Sequence, residues 1–169
     1  MTRDEVLARL QKVPPDTEGA VELSSMLVYD DLNWNLIHAE NEIDGDPTLL
    51  GREDQSEVVL KRFLFPAIKK LNPDLPEEAL NQAVDILTRD RSAMSITAAN
   101  KDIASLLRQG VQVTFRDNDG TQKIERVRVI DWKEPWNNHF LLVSQLWVNG
   151  DPYKRRADLV GFVNGIPLL

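Results

Sequence analysis

One acidic residue, Asp158, heads the apolar run Leu159-Val160-Gly161-Phe162-Val163, and Lys154, Arg155 and Arg156 stand just before it. Aspartate is depleted in strands, and a run this apolar reads as a strand buried on both faces. A carboxylate at the end of such a strand offers Mg²⁺ a hard oxygen ligand, and neighbouring cations could meet the phosphodiester held against that metal. The plainer alternative is a strand-end aspartate bonded to a nearby turn, beside a basic face that is simply solvated. Asn164-Gly165 is a turn signal, and Ile166 opens a second apolar run. The region reads as a hairpin whose second strand is incomplete within these residues.

Other chemistries are poorly represented. The chain has no cysteine, which excludes disulfides, thiolate zinc sites and Cys nucleophiles. It contains no G-x-x-x-x-G-K-[ST] phosphate loop and no G-x-S-x-G elbow. His38 and His139 lie far apart without ligand spacing and read as structural or surface residues. Trp34, Trp132, Trp136 and Trp147 read as core or rim packing rather than as stacking platforms for bases.

The bulk numbers suit one domain. The sequence has 169 residues, 42% apolar and 28% charged, near the globular average. No run is long and apolar enough for a membrane span, and Met1-Thr2-Arg3-Asp4-Glu5-Val6 is not a signal peptide, so a cytoplasmic protein is expected. A net charge of −7 argues mildly against tight nonspecific DNA binding by this piece alone. It does not argue against a nuclease site, which is built from carboxylates.

The elements that must position Asp158 can be read in order. Thr2 caps a short helix to about Val13, ended by Pro14-Pro15. Thr17 caps a second helix, Glu18 to about Leu32, with Val21, Met26, Tyr29 and Leu32 as its apolar positions. An extended piece, Trp34 to His38, follows. Residues 40–54 are rich in Gly, Asp and Pro and are the best candidate for a mobile loop. A third helix is expected from Ser56 to Leu71, kinked or broken at Pro66. A fourth should run from Pro76, as first residue, to Thr88, and a fifth from Asn100 to Arg108, closed by Gly110. The period then changes to two. Val111, Val113 and Phe115 alternate, Asn118-Asp119-Gly120 turns, and Ile124, Val127 and Val129 return out of step, which hints at a bulge. His139 to Val148 reads as a central strand, followed by turn residues from Asn149 to Pro152. The order is helices first and sheet second, in a single α+β domain over residues 1–169.

The closing stretch R-A-D-L-V-G-F-V-N-G-I-P-L-L resembles the nuclease motif of the R (restriction and motor) subunit of type I restriction-modification enzymes. That motif is approximately R-P-D, a hydrophobic run, N-G-L-P-L, then Glu and Lys with one residue between them. Three upstream stretches are also similar to the family. They are V-V-L-K-R-F-L-F-P-A-I-K-K-L-N-P-D-L-P-E-E-A-L, N-K-D-I-A-S-L-L-R-Q-G-V-Q-V and W-N-N-H-F-L-L-V-S-Q-L-W-V. The likeness covers most of the chain from about residue 50 onward. It departs at Ala157 for proline, Ile166 for leucine and Ser144 for asparagine, none of which removes a group the chemistry needs.

The resemblance implies a PD-(D/E)xK nuclease core with N-terminal helices on a mixed, mainly antiparallel sheet whose last strand is incomplete here. It implies Asp158 as the metal-binding aspartate, with Mg²⁺ as cofactor. The second acid and the lysine are implied about fourteen and sixteen positions later, past Leu169. A helix glutamate often joins such sites, and Glu22 is the candidate, with Glu18 as the alternative. Arg52 matches a recurrent arginine whose role is not derivable. Arg52, Gln145, Arg155 and Arg156 are candidate DNA-contacting or site-supporting residues. The implied partners are DNA, the modification and specificity subunits, and motor domains of the same chain that use ATP. This stretch alone is then expected to be inactive. The rival reading is a non-enzymatic docking module that keeps the nuclease-like fold, and Glu-x-Lys in the next ten codons would discriminate.

The implied chemistry constrains the turn. With a strict two-residue loop, Val163 pairs with Ile166 and Asp158 with a position thirteen later. An acid fourteen later would point to the opposite face. The expectation is therefore a three-residue loop or a bulge, helped by Pro167.

Overall fold

The computed structural model describes residues 1–117, 119–150 and 153–168. The expected turn residues Asn118, Asp151 and Pro152 lie outside the described residues, as does Leu169. In chain order the elements are α1 (Arg3–Leu10), α2 (Glu18–Asp31), β1 (Asn35–His38), α3 (Lys61–Leu71), α4 (Glu77–Thr88) and α5 (Ile96–Gln109). They continue with β2 (Val111–Arg116), β3 (Gln122–Val127), β4 (Phe140–Asn149), β5 (Lys154–Val163) and β6 (Ile166–Pro167). The chain divides into two compact units, Met1–Arg62 with His139–Leu169, and Phe63–Asn138.

The first unit is built on a four-stranded sheet of order β1-β4-β5-β6. β1 runs parallel to β4, and the other pairs are antiparallel. The sheet is thus mixed and mainly antiparallel, as expected. Leu141, Leu142, Val143 and Ser144 are buried in succession on β4, the signature of a strand covered on both faces. Thr2 and Thr17 cap α1 and α2 by accepting from Glu5 N and Ala20 N. α1 stops at Leu10, short of Val13. The face α2 buries is only partly the one expected, since Met26 is buried and Tyr29 packs against the same cluster while Val21 and Leu32 do not. Ala20, Leu23 and Met26 are buried, whereas Val21 is 66% and Leu32 55% exposed. Leu23 and Met26 pack with Val6, Leu36 and Leu142, and that choice places Glu22 toward the sheet.

The 40–54 segment is pinned rather than loose. Leu50 and Arg52 are buried, and Gly45 N donates to Arg52 O at 2.8 Å. An arginine and an apolar anchor inside a polar stretch override its loop-like composition.

The hairpin argument is overturned at the turn. Val163 pairs with Ile166 and Phe162 with Pro167, and Leu168 N bonds Gly161 O at 2.9 Å in the same register. Asn164 (φ 51°) and Gly165 (φ 79°) make a plain two-residue loop with two left-handed residues, the geometry whose twist matches the flanking strands. The loop is held from outside. Asn164 N donates to His139 O at 2.8 Å, Asn164 Oδ1 accepts from His139 N at 2.7 Å, and Leu60 N donates to Gly165 O at 2.8 Å. An irregularity does exist, but on the other edge of β5. The β4–β5 ladder runs from Phe140↔Val163 to Ser144↔Leu159 and resumes at Leu146↔Ala157, leaving out Gln145 and Asp158. Gln145 has φ 57°.

The second unit carries a separate two-stranded sheet, β2-β3. Its pairs run one to one from Val111↔Val127 to Arg116↔Gln122, so the expected bulge is absent. β3 ends at Val127, and Ile124 is 63% exposed, which removes the apparent phase error. α3 begins at Lys61, not Ser56, and continues through Pro66. An interior proline costs about 3 kcal/mol. Burial of Leu64, Ile68 and Leu71 on the same face returns roughly 1.5–3 kcal/mol each, which outweighs it. Pro76 is the cap of α4 rather than its first residue. α5 starts at Ile96, earlier than expected, because Ser95 accepts from Ala98 N at 3.2 Å. Gly110 ends it at φ 82°, where a Cβ would meet Val127 O at 2.8 Å.

Candidate functional site

Three side chains from three elements of the first unit converge. Gln145 Nε2, on β4, donates to Glu22 Oε2 on α2 at 2.6 Å and to Asp158 Oδ1 on β5 at 3.4 Å. Asp158 is exposed, while Glu22 and Gln145 are partly buried. The left-handed backbone at Gln145 interrupts the ladder opposite Asp158, and at that break its side-chain amide bonds two carboxylates. Among the described residues no group of three or more His, Cys, Asp or Glu is placed to hold a metal. The acidic pair and the amide are what the residues up to Leu168 contribute.

Burial pushes the Glu22 carboxyl above its ordinary range. The Gln145 hydrogen bond acts in the opposite sense, the Asp158 charge adds to the rise, and His38 and Arg156 oppose it. Two like charges set against one neutral amide describe a site with negative charge to spare.

The candidate residues fall into different places. Asp158, Glu22 and Gln145 are brought together. Glu18 sits in the first turn of α2 and is exposed. Arg156 is two residues from Asp158 along β5, so strand alternation puts it on the same side. Its Cζ lies 5.6 Å from the Trp147 ring centroid, and Lys154 Nζ lies 4.7 Å from the same ring. Trp147 is thereby a packing surface for two cations. Arg155 falls on the alternate side.

Arg52 is a buried clamp. Its side chain and that of Glu42 are 1% and 2% exposed, and they form an ion pair. Arg52 Nε donates to Glu42 Oε1 at 3.0 Å, Nη1 to Glu57 O at 3.2 Å and Nη2 to Trp147 O at 3.0 Å. Every donor group faces protein, and this buried position leaves no surface for a phosphate. Arg52 ties the 40–54 segment to β4 two residues past Gln145.

His38 bridges Ser144 Oγ (2.9 Å from Nδ1) and Glu40 Oε2 (3.2 Å from Nε2). It is a bonded structural histidine, as read from sequence, yet it stands close enough to influence Glu22. His139 Nε2 lies 2.9 Å from Asn35 Nδ2. What the sequence reading missed is the conformation of Gln145. Nothing in F-L-L-V-S-Q-L-W-V marks one position for a positive φ, because glutamine has no preference for it.

The strands and helices form an α+β fold consistent with restriction endonucleases, with two acids at a break in its sheet. Residues 17–169 match the family model described as type I restriction enzyme R protein N terminus, and the chain belongs to that family. It is 41% identical over 153 residues to the type I restriction enzyme HindI endonuclease subunit of Haemophilus influenzae, covering 90% of this chain and 14% of that protein. It is 34% identical over 122 residues to the putative type I restriction enzyme MjaIXP endonuclease subunit of Methanocaldococcus jannaschii, covering 69% of this chain and 11% of that protein. The chain thus spans about one-seventh or less of the length of these relatives.

Proposed function

We propose that this chain supplies the N-terminal part of the nuclease domain of a type I restriction endonuclease subunit, and that Asp158 and Glu22 hold Mg²⁺ for cleavage of a DNA phosphodiester. The observation that carries the reading is the convergence of Glu22 and Asp158 on the single Gln145 amide. The donor chemistry fits Mg²⁺, a hard cation that takes one or two carboxylates and keeps several waters. Burial and the Asp158 charge raise the Glu22 carboxyl above its ordinary range, and a divalent charge at the site would oppose that rise.

When bound, the cation polarises the phosphate and favours hydroxide at neutral pH. Asp158 and Glu22 fix its position, Gln145 keeps Glu22 turned to Asp158, and Arg156 offers positive charge to the DNA backbone on the same side. The family motif carries a further acid and a lysine that would complete this set. The plain two-residue turn leaves the phase of that acid to be corrected elsewhere. The β4–β5 register is the same on both sides of the Gln145–Asp158 interruption, so that break inserts no residue and does not supply the shift.

In the full-length subunit, cleavage is coupled to ATP-driven DNA translocation by motor domains. Modification and specificity subunits complete the complex, which is cytoplasmic. No described helix is long and apolar enough to cross a membrane.

The test is Asp158→Ala and Glu22→Gln in the full-length subunit assembled with its partners. Metal chemistry worth several kcal/mol corresponds to at least about 10³-fold in rate. Plasmid cleavage should fall by that factor in each variant while DNA-dependent ATPase stays at the wild-type level. Normal cleavage by Asp158→Ala would exclude the assignment and favour a docking module.

A further inference from the structure

We infer that Gln145 is a positioning residue of this site, a clamp that holds Glu22 and Asp158 on one side-chain amide, where a divalent cation would take their remaining oxygens. The inference rests on the metal-site reading above and goes beyond it by giving a role to a residue that is neither acid nor base. Three observations converge on it. Gln145 takes φ 57°, a conformation rare for a residue that is not Gly, Asn or Asp and one that persists only when its surroundings impose it. The β4–β5 ladder omits only the Gln145–Asp158 pair, with Ser144↔Leu159 and Leu146↔Ala157 regular on either side. At that break the Gln145 side-chain amide bonds both acids, at 2.6 Å and 3.4 Å.

A regular strand residue at this position would spend its backbone on pairing. The left-handed turn instead commits the side chain to the acids. The amide nitrogen takes one oxygen of each carboxylate, Glu22 Oε2 and Asp158 Oδ1. The second oxygen of each, Oε1 and Oδ2, is then available for a cation. Charge-assisted bonds from a neutral amide also offset the repulsion of the two acids without adding a cation that would compete for the site. Groups that hydrogen-bond a metal's carboxylate ligands orient them, and their loss commonly costs about 10–100-fold in metal affinity.

The experiment measures Mn²⁺ binding by calorimetry on the full-length subunit, with Mn²⁺ standing in for Mg²⁺. It uses wild type, Gln145→Ala, Gln145→Gly, Asp158→Asn and Glu22→Gln, and circular dichroism confirms each fold. Glycine keeps the left-handed backbone at no strain and lacks the amide, so it separates the two contributions and serves if the alanine variant does not fold. The expected result is about a 10-fold rise in the Mn²⁺ dissociation constant in both Gln145 variants, with the metal-free melting temperature of Gln145→Gly close to wild type. Wild-type or tighter Mn²⁺ binding by Gln145→Gly overturns the clamp. Mn²⁺ binding undiminished in Asp158→Asn and Glu22→Gln overturns the metal site itself, a distinct failure.

Discussion

Gln145 and Asp158 face each other across β4 and β5 at the single place where that ladder is interrupted, and the Gln145 amide bonds Asp158 there. The same amide reaches Glu22 on α2. Backbone conformation and chemistry thus coincide, because the residue at the interruption is the one whose side chain links the two acids.

Glu22 predicts a pH dependence. Its carboxyl lies above the ordinary value of 4.5 in the folded state, with burial as the largest cause and Asp158 adding to it. The folded protein therefore binds the Glu22 proton more tightly than the unfolded chain does. The stability linked to that proton is fully present below the unfolded value and is lost as pH rises through the raised folded value. Urea midpoints of the metal-free protein should decline over that interval. Glu22→Gln should remove this component of the decline, and a slope unchanged in that variant would contradict the assignment.

Arg52 predicts a large asymmetry between single and double substitutions. Arg52→Met leaves Glu42 charged and enclosed, and breaking a buried pair from one side costs about 3–5 kcal/mol. Combining it with Glu42→Leu removes both charges and should recover most of that loss. Denaturant unfolding of the two variants reads the difference directly. Equal destabilisation of single and double variants would mean that Arg52 acts through its carbonyl contacts at Glu57 and Trp147 instead.

Asn164 predicts a graded response in the turn. Asn164→Gly keeps the left-handed backbone and loses the side-chain bond from His139 N, a loss of about 0.5–1.5 kcal/mol for a part-buried hydrogen bond. Asn164→Ala loses the same bond and adds about 1 kcal/mol of backbone strain. Thermal melts should therefore rank wild type above glycine and glycine above alanine. Alanine matching glycine would show that the positive φ is not retained in the variant.

Much of the local order was legible because it is written in short-range signals. Thr2, Thr17 and Gly110 marked helix ends through capping chemistry, and alternation around Val111, Val113 and Phe115 marked a strand. The misreadings share a cause. Val21 and Leu32 have the right spacing for a core face, but which face of α2 is buried depends on what packs against it. The 40–54 segment has loop composition, yet Arg52 anchors it through partners at Glu42, Glu57 and Trp147. The bulge inferred at Ile124 assumed that the strand reached Val129, whereas it ends at Val127.

For the candidate site, the sequence by itself singled out Asp158, the basic residues before it and the Asn164-Gly165 turn, and it carried the likeness to the family. These depend on residue type and on neighbours a few positions away. Only the tertiary structure decided that Glu22 rather than Glu18 meets Asp158, that Gln145 bends out of its strand to hold both, and that the irregularity lies across β5 and not in the turn. Such outcomes depend on the register between β4 and β5 and on the packing of α2. The packing of α2 is fixed by contacts between residues more than a hundred positions apart, such as Glu22 with Gln145, and the break in the β4–β5 ladder comes from a backbone conformation at Gln145 that no local period encodes.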